Sequence, residues 1–249
     1  MSVHPRSIIE LLEIELPIIQ APMLGIVTAE MIIGVAEAGG LGSLPASHLS
    51  AEGALNIFSE IRRRTSKPIN VNFLYHESPA RNSACEDAWV QRLTPYYTEL
   101  GLAFDAARPG MLVPAFGNTH CALLEEITPE VVSFHFGLPP KRLLERVRKT
   151  GAKIVSSATT VEEAEWLEKA GCDAIIAQGL DCRRTSGNVP PPQDRRAGRH
   201  HGPVPQIVDA VKVPVIADRR RRHRRSQGSC RCIRIGSVGG AGRHGVPLL

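Results

Sequence analysis

Aromatic residues are scarce in this chain of 249 residues, at 4% against 43% hydrophobic residues in all. No apolar run approaches the ~18 residues that a membrane span needs, which excludes a transmembrane helix. The opening segment MSVHPRSIIELLEIELPIIQ is interrupted by Glu10, Glu13 and Glu15, so it has no h-region, and a cytoplasmic location is expected. Six cysteines lie scattered, and only Cys230 and Cys232 form a close pair. Without a second pair at ligand spacing, that C-x-C is no zinc site, and without a signal peptide the thiols are expected to be reduced. The strand-end residues that stand out form no nucleophile–base pair, metal cluster or carboxylate dyad. The chemistry is therefore expected to be a cofactor's.

Acidic residues are nearly absent from one end of the chain. Residues 1–180 hold 15 Lys and Arg against 21 Asp and Glu, whereas residues 181–249 hold 15 against 4, so the overall net charge of +5 is entirely local. Such asymmetry raises a nucleic-acid-binding tail as one reading. The run Arg219-Arg220-Arg221-Arg222-His223-Arg224-Arg225 could neutralise phosphates. No aromatic side chain or recognisable fold accompanies it, however, and no specific nucleic-acid partner is expected. A filter-binding assay with and without 181–249 separates that reading from an enzymatic one.

What is present is a repeating βα pattern. PIIQAPM (17–23) reads as a buried strand, and TAEMIIGVAEAGG as a helix that Thr28 caps and Gly39-Gly40 ends. LGSLPA, KPINVNFL, TPEVVSFHFG, KIVSSA, DAIIAQG and PVIAD follow as strands, separated by helical-period segments and short connections. No dinucleotide fingerprint follows the first strand. The formal G-x-G-x-x-G at Gly240–Gly245 has neither a strand before it nor a helix after it. The pattern points to an α/β fold, a (β/α)8 TIM barrel. It is incomplete here, with about seven βα units, because the residues after Ala217 lack the eighth unit.

In a parallel barrel the chemistry sits at the C-terminal ends of the strands. Gln20-Ala21-Pro22-Met23 ends the first, and Met23 can cover a flat aromatic ring. Asn72 ends the third, carrying both donor and acceptor groups. His135 ends the fourth between two phenylalanines. Ser156 and Ser157 end the fifth, where small residues leave room for a ligand. Gln178 and Gly179 end the sixth, with Gly179 permitting close backbone approach. The alternative for each is structural: a packed strand end, a cap, a satisfied core imidazole. Amides, a methionine and glycine-lined strand ends together suit a flavin ring.

The strings PIIQAPMLG, AEAGGLGSLPA, INVNFL, EVVSFHFGLP, GAKIVSSATTVEEA, GCDAIIAQG and VPQIVDAVKVPVIA resemble, in order and spacing, the nitronate monooxygenase family, formerly called 2-nitropropane dioxygenases. The resemblance covers 1–180 and 204–217. It implies a flavoprotein: an FMN-containing TIM barrel that oxidises alkyl nitronates with O2, an oxidoreductase whose partners are a small-molecule nitronate and oxygen. Carried over residue by residue, it implies that Met23, Asn72, Gln178 and Gly179 contact FMN and that the candidate catalytic residue His135 lines the substrate side. An FMN barrel of the enoyl-acyl-carrier-protein reductase type is the enzymatic alternative. SFHFGLP and the absence of NAD(P)H consumption would tell against it.

Two departures stand out. After AIIAQG the family continues with a glutamate and A-G-G-H-R-G, whose His is the proposed base; this chain reads LDCRRTSGNVPPPQ. After VPVIA the family has a Gly-rich turn, an Ala-rich helix and a strand ending V-Q-x-G-T, whose backbone amides hold the FMN phosphate. Here Asp218 and the arginines follow. A one-base slip accounts for both. Back-translated and read from the second base of each codon, Cys182 to Pro190 permits A-G-G-H-R-G-M-F, and Arg199 to Pro203 permits G-T-T-A-L. Arg219 to Leu248 likewise permits G-G-G-V-T-D-G-R and then A-A-A-F-A-L-G-A-S-A-V-Q-V-G-T-A-Y-L. The C-terminal part is thus read as frameshifted and truncated relative to the family. The expected organisation is a barrel over 1–217, disrupted across 181–203, and a non-native Arg/Gly-rich tail over 218–249 that stays disordered. Strands one and seven are expected to be left with unpaired edges.

Overall fold

The computed structural model describes residues 7–76, 82–102, 115–178, 204–220 and 231–236. Its strands are β1 (Ile18–Gln20), β2 (Gly42–Pro45), β3 (Ile69–Leu74), β4 (Val131–His135), β5 (Lys153–Ala158), β6 (Ala174–Gln178), β7 (Val215–Arg220) and β8 (Arg231–Gly236). Its helices are α1 (Ile8–Leu12), α2 (Ala29–Glu37), α3 (Ala51–Arg64), α4 (Ser83–Glu99), α5 (Asn118–Ile127), α6 (Lys141–Lys149), α7 (Val161–Lys169) and α8 (Val204–Ala210). Among the described residues, no helix is long and apolar enough to cross a membrane.

Several helices begin where a short polar side chain satisfies an amide of the first turn. Thr28, Ser50 and Thr160 accept from the backbone N–H groups of Met31, Gly53 and Glu163 at 3.3, 3.0 and 3.2 Å. The sequence reading passed over α1, although Ser7-x-x-Glu10 is a capping box: Ser7 Oγ accepts from Glu10 N at 3.2 Å and Glu10 accepts from Ser7 N at 3.1 Å.

Strands β2 to β7 run parallel, each hydrogen-bonded to the next in sequence. β1 joins β2 through a parallel bridge between Ile19 and Leu41. The parallel βα architecture expected from the sequence is therefore present. The eighth position is occupied differently. β8 lies antiparallel between β7 and β1, with Asp218 opposite Ile233 and Ile19 opposite Ile233. It is not the parallel strand of an eighth βα unit, but it corrects the expectation that β1 and β7 expose free edges. The β-branched residues at 233 and 235 favour a strand, and two waiting ladders reward one. The rest of the tail, 221–230 and 237–249, lies outside the described residues, as does the disrupted segment 181–203.

Both faces of the sheet are covered, as a parallel sheet requires. Inside the ring, Ile19, Leu41, Val131, Val155, Ala174, Ile176 and Ile216 pack together with Ile8, Leu11, Leu12 and Ile14 from α1 and the turn after it. Outside it, the alternate residues Ile69, Val71, Phe73, Val132, Phe134, Ile154 and Ile175 meet Ile32, Phe58, Leu124, Leu144, Leu167 and Ile207 from the helices. α2 lies tightly over β2 at Gly42, where an added Cβ would lie 2.5 Å from the Ile32 carbonyl oxygen. Gly42→Ala is therefore expected to cost about 1–3 kcal/mol through overpacking, read as a lowered urea midpoint with unchanged slope. An unchanged midpoint would show that α2 does not rest on this glycine.

Residues Glu77–Ala115 form a separate compact unit. Its helix α4 is capped by Asn82, which accepts from Cys85 N at 3.2 Å. Pro95 lies inside α4, and no residue of that helix is buried.

Candidate functional site

Period-two alternation carries the inner faces of β4 to β7 from apolar to polar toward their C-terminal ends. Along β4 it runs Val131, Ser133, His135; along β5, Val155, Ser157; along β6, Ile176, Gln178; along β7, Ile216, Asp218. Ser43, Asn70, Asn72, Ser133, Ser157 and Gln178 are all buried. Polar groups cost free energy when buried without partners, so this collar is the part of the barrel interior whose polar groups call for partners.

Part of the collar satisfies itself. Asn72 Nδ2 donates to Ser133 Oγ at 2.9 Å and to the Ser133 carbonyl at 3.3 Å, tying β3 to β4. Asn70 Nδ2 donates to Ser43 Oγ at 3.0 Å, and Gln20 Oε1 accepts from Ser43 N at 3.3 Å. Among the described residues, Gln20 Nε2, a donor, and Asn70 Oδ1, an acceptor, are buried without a hydrogen-bond partner. They offer the pairing that amide-like ring edges need.

His135 is half-buried at the end of β4, and a strained turn holds it there. Phe136 has φ +73° and Gly137 φ +130°. A bulky residue in the left-handed region persists only when its surroundings hold it. Here Tyr75 N donates to the His135 carbonyl at 2.8 Å from the β3 side, and Ser156 Oγ donates to the Gly137 carbonyl at 3.3 Å from β5. Ser156 therefore does not leave room for a ligand, as the sequence reading expected of it. It is fully buried and braces the turn from behind. Met23 is half-buried beyond β1, where its carbonyl accepts from Val27 N at 3.1 Å. The fold thus puts Met23, Asn72, His135 and Gln178 at the C-terminal ends of strands in one ring; Gly179 lies outside the described residues.

Other features do not compete for this role. A cleft of about 390 Å³ lies between α2 and α3, lined by Val27, Leu44, His48, Ile57 and Glu60 among others, outside the ring of strands. Burial pushes the Cys172 thiol up to about 12 and raises that of Cys121, so neither supplies a thiolate near neutral pH. Among the described residues, no group of three or more His, Cys, Asp or Glu side chains could hold a metal. Glu163, though buried, is spent on Thr159, accepting from its N–H at 2.5 Å and its hydroxyl at 2.8 Å.

Known proteins place the chain further. The family model for nitronate monooxygenase matches residues 6–218, ending at the residue after which the second-base reading begins. The nitronate monooxygenase of Paraburkholderia phytofirmans is 36% identical over 214 residues, covering 85% of this chain and 58% of that protein. That of Pseudomonas aeruginosa is 35% identical over 216 residues, covering 83% and 59%. A nitroalkane oxidase from Streptomyces ansochromogenes superposes with a TM-score of 0.69 at 31% identity, covering 82% of this chain and 58% of that one. The chain spans a little under three-fifths of the length of each of these relatives. It belongs to the nitronate monooxygenase family.

Proposed function

We propose that this chain carries the ring-binding side of an FMN-dependent site for oxidising alkyl nitronates, and that by itself it does not complete the reaction. The observation that carries this reading is the polar collar, with buried Gln20 Nε2 and Asn70 Oδ1 left without partners. In the barrel mouth Met23 would pack on the ring, and Gln178 and Gly179 would meet its polar edge. Asn72 has its NH2 spent on Ser133, so it would offer its carbonyl oxygen as an acceptor. His135, fixed by the braced turn, would line the substrate side. When bound, FMN supplies the oxidation chemistry with O2 as the electron acceptor. The barrel of 1–217 would be functional only with the phosphate-holding strand and the base that the second-base readings contain. The tail of 218–249 replaces the former, and 181–203 the latter.

Titration of the purified chain with FMN and with riboflavin tests this. With the ring site present and the phosphate site lost, both flavins should bind weakly and equally. Gln178→Ala should weaken each by about tenfold, the value of one hydrogen bond of about 1.4 kcal/mol. Stoichiometric FMN retained through purification would overturn the lost phosphate site. Indifference of both flavins to Gln178→Ala would overturn the ring site.

A further inference from the structure

His120 is the third residue of α5, just after Glu77–Ala115 in the chain. Its Nδ1 accepts from Gly117 N–H at 3.1 Å, the reciprocal half of a capping box in which the N3 side chain satisfies the N-cap amide, and it is the half that remains because glycine has no side chain to supply the other. An imidazole accepting at Nδ1 is neutral and carries its proton on Nε2. The ring stacks on Phe116 at 5.3 Å and 19°, and Phe73 meets it edge-on at 5.4 Å and 79°. Phe116 in turn meets Phe73 at 4.9 Å and Phe134 at 5.1 Å, both edge-on. Phe73 follows Asn72 and Phe134 precedes His135, so this cluster backs the ends of the two strands that present them.

We propose that His120 is an acid-sensitive latch: neutral, it holds the start of α5 and Phe116 against the backs of β3 and β4, and protonated, it releases them. Protonation turns Nδ1 into a donor, leaving Gly117 N–H without its acceptor. It also places a cation in the first turn of a helix, where the dipole is already positive. Attraction of the cation to the Phe116 face opposes this. Burial lowers the affinity of His120 for a proton. Several charged groups on the packed elements pair with one another. On α3, Arg62 pairs with Glu130 and Arg64 with Glu60; Arg146 of α6 pairs with Glu125, and Arg142 approaches Asn118. On β3 and β4 the titratable side chain is His135. Because the folded-state value lies below the ordinary 6.5, the latch is fully effective above 6.5 and fails as pH falls through the folded-state value.

Amide hydrogen exchange of the full chain between pH 7.5 and 5, corrected for intrinsic rates, tests the latch without reference to flavin. Protection of Gly117 and of the first turn of α5 should fall several-fold, at the midpoint at which the His120 ring titrates by NMR. In His120→Gln, whose amide oxygen can replace the acceptor but does not titrate, the fall should vanish while protection at pH 7.5 persists. His120→Phe, with stacking but no acceptor, should be unprotected at Gly117 at both pH values. The proposal is overturned if wild-type protection at Gly117 does not change across the ring's titration, or if the ring titrates at or above the ordinary histidine value. It is overturned equally if His120→Gln keeps the pH dependence. The ring titration and Gly117 exchange are read on the unmodified chain, so they decide the matter even if neither variant folds.

Discussion

Restoring both reading frames should turn a colourless protein yellow and produce oxygen uptake with propionate-3-nitronate or 2-nitropropane, against none for the unaltered chain. The two repairs act on different steps, so they separate. Repair after Asp218 alone returns the Gly-rich turn and the V-Q-V-G-T strand, whose backbone amides hold phosphate. That protein should retain FMN, and at a free concentration of 100 times Kd the cofactor should add about 2.7 kcal/mol to its stability. It should still turn over poorly, because a missing general base costs about 10²–10⁴ in rate. Repair across 182–203 alone returns the base without the phosphate site and should leave the protein colourless. Sequencing the coding DNA over codons 181–218 checks the premise independently. Activity in the unaltered chain, or no gain from the double repair, would sink the reading.

Phe134→Ala should be among the most damaging single substitutions in the core. Phe134 is fully buried between Phe73, with centroids 6.2 Å apart, and Phe116 at 5.1 Å. Truncation removes its transfer free energy and leaves a cavity that a close-packed sheet cannot collapse around, a loss of about 3–5 kcal/mol. Domains of this kind are stable by about 5–15 kcal/mol, so a large part of the total would go. Chemical denaturation should show it, with Phe134→Leu recovering most of the loss. A change below about 1 kcal/mol, the range of surface substitutions, would mean that the strand backs are not packed as described.

Much of the barrel was legible one residue at a time. Strands such as INVNFL and DAIIAQG are continuous because both faces are buried, and Thr28, Ser50 and Thr160 announce their helices by local hydrogen bonds. Asn72, His135 and Gln178 could be placed at the mouth because strand ends follow from the same pattern. The frame reading rests on back-translated residues alone, and the coding DNA tests it. α1 was missed despite its capping box, because five helical residues carry too little periodicity to weigh against the apolar run that follows.

Contacts distant in sequence decided the rest. Ser156 and Ser157 read alike, yet the pleat sends one to the Gly137 carbonyl behind β4 and leaves the other on the inner face. His120 carried no signal, because its role depends on Phe73 and Phe134 arriving from strands far away in the chain. Arg231–Gly236 gains its strand from two open ladders, which exist only after β1 and β7 have come to lie on either side of one gap. The sequence by itself determined the succession of strands β1 to β7, the family and the faces that must be buried, since these follow from local propensity, periodicity and motif order. Which polar groups pair, which are left for a ligand, and which strand fills the eighth place were decided only by the tertiary structure. Pairing energy depends on partners that the chain brings together across tens of residues.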